Sequence, residues 1–151
     1  MMLWLATGLL IALAGAVIVM DLRTWRIPDP LNLAIGVSGL AATWMLGRDL
    51  LASGIGIVAG YAAIAGLNAL YRARRGKDGI GMGDAKFLAA AGAWVGWMGL
   101  PFIALIGASL GLAAVGAMRI AGRQVEAQDR LPFGPFLAVA TVAVWIALTI
   151  T

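Results

Sequence analysis

The sequence predicts an all-α polytopic membrane protein, a bundle of about six transmembrane helices, on three observations. Hydrophobic residues make up 62% of the 151 and charged residues only 12%, far outside the usage of a soluble globular domain. Charge-free runs occupy 1–20, 31–47, 50–71, 87–118 and 131–151. The loops between them are basic on one side only.

A spanning helix needs about 20 apolar residues, with a range of roughly 17–25, so four of these runs read as single spans. The first, 1–20, lacks the basic start and small-residue cleavage site of a signal peptide, and it ends at Asp21, so it is retained as the first helix. Pro28 stops any helix in the loop that follows, and 31–47 resumes. The run 87–118 is too long: at about 1.5 Å per residue it overshoots a hydrocarbon core of about 30 Å. Gly96-Trp97-Met98-Gly99-Leu100-Pro101 supplies breakers and an interfacial Trp, so this run reads as two short helices joined by a tight turn. Glycines recur at Gly54, Gly56, Gly60, Gly107, Gly111 and Gly116, where small residues let membrane helices approach closely. Packing is the expected role of most of them. The whole chain, 1–151, reads as one transmembrane domain.

Orientation follows from the loops. Segments 21–30, 72–86 and 119–130 carry Arg23, Arg26, Arg72, Arg74, Arg75, Lys77, Lys86, Arg119, Arg123 and Arg130, whereas 47–50 and 96–101 carry only Arg48. The positive-inside rule therefore places the basic loops in the cytoplasm and both termini on the periplasmic side. The net charge of +4 is accounted for by this asymmetry and by attraction to anionic lipid, so membrane lipid, and no nucleic acid, is the partner it implies.

Chemistry is narrowed by what is missing. Without His or Cys there is no Ser-His-Asp arrangement, His-Glu zinc motif, thiolate or Cys-based metal site. Ser38, Ser53 and Ser109 all lie in apolar runs, away from basic partners, which argues against a Ser-Lys dyad. The acids are Asp21, Asp29, Asp49, Asp78, Asp84, Glu126 and Asp129, all but Asp49 on the expected cytoplasmic side. Asp21 and Asp84 each sit where an apolar run meets a basic loop, and a carboxylate at a membrane boundary marks a functional site by default. Two carboxyls brought together share one proton, because like charges a few Å apart do not both ionise cheaply. One then takes a proton from water while the other polarises a carbonyl, with no cofactor and no metal. Singly, Asp21 also reads as an interfacial charge and Asp84 as a helix N-cap. Gly81 and Gly83 permit positive φ and let another backbone come near.

The strings Asp21-Leu22-Arg23-Thr24-Trp25-Arg26-Ile27-Pro28-Asp29, Gly81-Met82-Gly83-Asp84-Ala85-Lys86-Phe87 and Leu131-Pro132-Phe133-Gly134-Pro135-Phe136-Leu137-Ala138 resemble, in order, the three signature segments of the type IV prepilin peptidases. Those are aspartic proteases of the bacterial inner membrane that remove the basic leader of prepilins and prepseudopilins. The resemblance implies Asp21 and Asp84 as the catalytic pair, at the cytoplasmic face, and Gly81 and Gly83 as shaping the loop that presents Asp84. It leaves Lys86 as a cation that tunes the dyad or meets substrate, or as a snorkelling positive-inside lysine. Asp29, beside Pro28, reads as a cap of the second helix, and the Pro132–Pro135 segment as shaping the start of the last. The first helix is expected to pack against the fourth, so that the aspartates meet.

Many members of that family also carry an N-terminal methyltransferase domain with CxxC pairs. This chain starts at the first peptidase helix without Cys, and so resembles the peptidase-only form of Tad/Flp pili, with the methyltransferase domain expected to be absent, or else the peptidase half of a larger system. Presenilin-like proteases share GxGD but differ in their first-aspartate context. A small ion- or proton-coupled transporter would favour acids near the bilayer midplane. A non-catalytic pilus assembly factor would tolerate substitution of both aspartates.

Overall fold

The computed structural model describes residues 1–76, 81–122 and 132–150. Among these the secondary structure is entirely helical: α1 (Met2–Thr24), α2 (Asp29–Met45), α3 (Leu50–Arg75), α4 (Met82–Ile120) and α5 (Gly134–Ile150). In lipid every backbone N–H and C=O needs an internal partner, and helices meet that demand within one segment. Three helices, α1, α3 and α4, are long and apolar enough to cross a membrane, and α5 is a shorter apolar helix.

Helix ends follow local chemistry. α1 stops where Trp25 takes a left-handed conformation (φ 56°), uncommon for a bulky residue. Pro28 occupies the N-cap of α2 in extended geometry, where its missing N–H costs nothing. The Asp49 carboxylate caps α3 by accepting the Leu51 N–H at 2.8 Å, and α3 ends in a left-handed Gly76 after Arg72, Arg74 and Arg75, cations that suit the negative end of the helix dipole. The long run breaks at Gly96 (φ 69°, ψ 179°), inside α4. The run is therefore two helices, as expected, joined at the single residue Gly96 rather than over the whole of 96–101, and Pro101 falls within the second. Positive φ is open to glycine without the steric cost other residues meet.

Glycines set the closest contacts. A methyl on Gly56 would stand 2.6 Å from the Gly92 carbonyl oxygen, and one on Gly60 would stand 2.5 Å from that of Leu88. α3 and α4 therefore touch backbone to backbone, the small-residue packing expected in membranes. Gly107 and Gly111 likewise receive Leu137 and Phe133, whereas Gly54 and Gly116 have no neighbour within 4 Å, so packing does not account for those two. Trp94 and Trp145 meet edge to face at 5.1 Å. Their indole N–H groups donate to the Ile35 carbonyl at 2.8 Å and to the Thr7 hydroxyl at 3.0 Å, tying α4 to α2 and α5 to α1.

The expected packing of the first helix against the fourth is not found. α1 packs on α5 and α2, and α4 packs on α3, α5 and α2, but no Cα of α1 comes within 8 Å of one of α4. α5 and α2 stand between them.

Candidate active site

Asp21 lies in the last turn of α1 and is 5% exposed. Its Oδ2 accepts the N–H of Gly134 at 3.0 Å. Gly134 is the first residue of α5, so its N–H has no carbonyl one turn earlier to bond, and the positive end of the helix dipole favours a carboxylate there. A methyl on Gly134 would sit 2.7 Å from the same Oδ2 and 3.1 Å from Ile27 Cδ1. Any larger residue there would have to push the Asp21 carboxylate aside.

Asp84 is in the first turn of α4, half-buried, with its N–H donating to the Gly81 carbonyl at 3.1 Å. Gly81 is the N-cap residue and no side chain caps this end, so Asp84 is not an N-cap. Gly81 itself has φ −65°, and neither Gly81 nor Gly83 is among the positive-φ residues. A methyl on Gly83 would meet the Ile27 backbone nitrogen at 3.7 Å and its carbonyl oxygen at 3.9 Å, ordinary van der Waals contact, so α4 starts beside Ile27 without an approach that only glycine allows. Ile27 thus bridges the start of α4 to the start of α5. Asp21, through Gly134, and Asp84, the residue after Gly83, flank Ile27, and the charge of Asp21 acts on Asp84. The bringing together of Asp21 and Asp84 does not need α1 against α4, because the α1–α2 loop and α5 close the distance.

Lys86 and Asp29 pair with each other. Lys86 Nζ donates to both Asp29 oxygens at 2.7 Å, joining α4 to α2. The pair is solvent-facing, with side chains 41% and 69% exposed, and such pairs contribute about 0–1 kcal/mol. The expected helix-capping role of Asp29 is therefore corrected: Pro28 holds the cap position, and the Asp29 carboxylate turns to Lys86. Asp78, Glu126, Asp129, Lys77, Arg123 and Arg130 lie outside the described residues. Among the described residues no three acids gather as a metal would need. A cavity of about 170 Å³ opens at the far end of the bundle, by Thr43, Arg48, Ser53 and Gly96, away from both aspartates.

Two residues do not stand out in the sequence. Gly134 is there only part of a helix start, although a glycine between Pro132 and Pro135 at the head of an apolar run signals that its N–H is free. Ile27 gave no signal beyond its place in the loop.

The sequence model of the type IV leader peptidase family matches residues 8–116. The chain belongs to that family. It is 42% identical over 139 residues to a prepilin leader peptidase/N-methyltransferase of Burkholderia pseudomallei, covering 91% of this chain and 44% of that protein. It is 38% identical over 145 residues to the enzyme of the same description from Aeromonas hydrophila, covering 95% of this chain and 49% of the relative. Leader peptidase HopD of Escherichia coli is 37% identical over 130 residues, which are 85% of this chain and 84% of HopD. The chain thus spans about half the length of the first two relatives and most of the third. No solved structure matches it. Both aspartates of this leader peptidase family chain fall within the matched region.

Proposed function

We propose that this chain is a membrane aspartic endopeptidase that removes the leader from prepilins or prepseudopilins, with Asp21 and Asp84 as its dyad. What supports the reading is the placement of Asp21 and Asp84, from separate helices, on either side of Ile27, with Asp21 held by a helix-terminal N–H. The pair holds one proton between them. The ionised member takes a proton from water, whose oxygen attacks the scissile carbonyl; the protonated member donates to the carbonyl oxygen, and the amide nitrogen is protonated as the bond breaks.

The site faces the cytoplasm in this reading. Arg23, Arg26, Arg72, Arg74, Arg75, Lys86 and Arg119 cluster at the helix ends on the aspartate side, as cytoplasmic loops do, and both termini then lie in the periplasm of a bacterial inner membrane. The test is cleavage by the purified protein in detergent, with mass spectrometry of the product. A prepilin from Burkholderia pseudomallei should lose its leader. Recovery of only full-length prepilin at stoichiometric enzyme would reject the assignment.

A further inference from the structure

Asn32 is 6% exposed, and both polar atoms of its side chain, Nδ2 and Oδ1, are buried with no hydrogen-bond partner. No other side chain among the described residues has this property. A buried, unpaired carboxamide is disfavoured, and an apolar side chain of similar shape would be free of that cost. Departures from such rules concentrate where a protein works.

The register of α2 locates Asn32. Three residues earlier, Asp29 pairs with Lys86; four residues later, Gly36 faces Ala90, whose Cα lies 3.8 Å from where a methyl on Gly36 would be. Positions three and four apart share a helix face. Asn32 therefore lies on the α2 face turned to α4, between Lys86 and Ala90, about one helical turn along from Asp84.

A peptide bond cannot be attacked inside an intact helix, so the substrate must be extended at the cleavage point. Its N–H and C=O groups then lose their helical partners in surroundings that hold little water, where unpaired polar groups are costly. In an extended chain the N–H and C=O of one residue point to the same side, and a carboxamide presents an acceptor and a donor side by side to match them. We propose that Asn32 binds the main chain of the peptide being cleaved. Its Nδ2–H donates to the carbonyl oxygen of one extended residue beside the scissile bond, and its Oδ1 accepts that residue's N–H. Admission requires the first turn of α2 to part from α4. That turn is lightly held, since its N-cap Pro28 has no side-chain cap and its tie to α4 is the solvent-facing Asp29–Lys86 pair.

This inference rests on the peptidase reading and deepens it. The experiment compares wild type, Asn32→Leu and Asn32→Ser, purified in one detergent, by thermal midpoint and by steady-state cleavage of a Burkholderia pseudomallei prepilin. Asn32→Leu should keep or raise the midpoint while KM rises about tenfold or more, the loss of a pair of hydrogen bonds, with kcat nearly unchanged. Asn32→Ser, whose hydroxyl both donates and accepts, should fall between in KM. The proposal is overturned by a KM in Asn32→Leu within about twofold of wild type, by a fall in kcat at constant KM, or by lowered midpoints in both variants, which would give the amide a role in the fold. Wild-type protein that cleaves nothing would strike the peptidase reading itself, and this proposal with it.

Discussion

The Gly134 N–H donates to Asp21 Oδ2 at 3.0 Å across 113 positions of sequence, so the last helix positions the carboxylate carried by the first. Gly134→Ala would drive a methyl to 2.7 Å from that oxygen, displacing the carboxylate and lengthening the bond. Loss of a hydrogen bond to a charged group, about 1.5–3 kcal/mol, corresponds to a fall in kcat/KM of roughly 10- to 100-fold. Steady-state cleavage by a folded Gly134→Ala protein checks this, and wild-type rates would show that the bond is idle.

Asp21→Asn and Asp84→Asn should each abolish cleavage while leaving the protein inserted and folded, because each change removes a proton-transfer partner at nearly constant volume. Asp29→Asn should retain most activity, since its carboxylate pairs with Lys86 at the surface. Product formation by the three variants, at matched detergent-solubilised yield, decides the matter. Turnover surviving in either dyad variant would remove the two-aspartate mechanism.

Gly92 and Gly54 separate packing glycines from idle ones. A methyl at Gly92 would collide with the carbonyl of Gly56, whereas one at Gly54 meets nothing within 4 Å. Gly92→Ala should cost about 1–3 kcal/mol as overpacking and lower the thermal midpoint. Gly54→Ala should be neutral or slightly stabilising, because alanine is the better helix former. Equal midpoints for the two variants would contradict the backbone contact of α3 and α4.

Topology is testable with single cysteines, since the native chain has none. Gly47 and Gly76 hold positive φ of 65° and 67°, where a cysteine would be strained, so the probes belong at the neighbouring exposed positions Met45 and Arg74. In intact spheroplasts a membrane-impermeant thiol reagent should label Met45→Cys and spare Arg74→Cys. The reverse pattern would put the aspartates on the outer face and remove the cytoplasmic assignment.

What the sequence determined by itself was the membrane class, the helical segments and the two candidate acids. Each of these is local. Charge-free runs of spanning length must be helical in lipid, and Asp21 and Asp84 stand out as carboxylates placed where an apolar run meets a basic loop. Tertiary structure decided which helices are neighbours. The interposition of α5 and α2 between α1 and α4 and the Lys86–Asp29 pair in place of a helix cap both depend on contacts between segments far apart in the chain. The role of Gly134 shows why. Any helix start leaves N–H groups free, and the sequence shows that such a donor exists; which acceptor takes it depends on how close two helices come, a distance set by the sum of many small packing contacts, with glycines the closest among them.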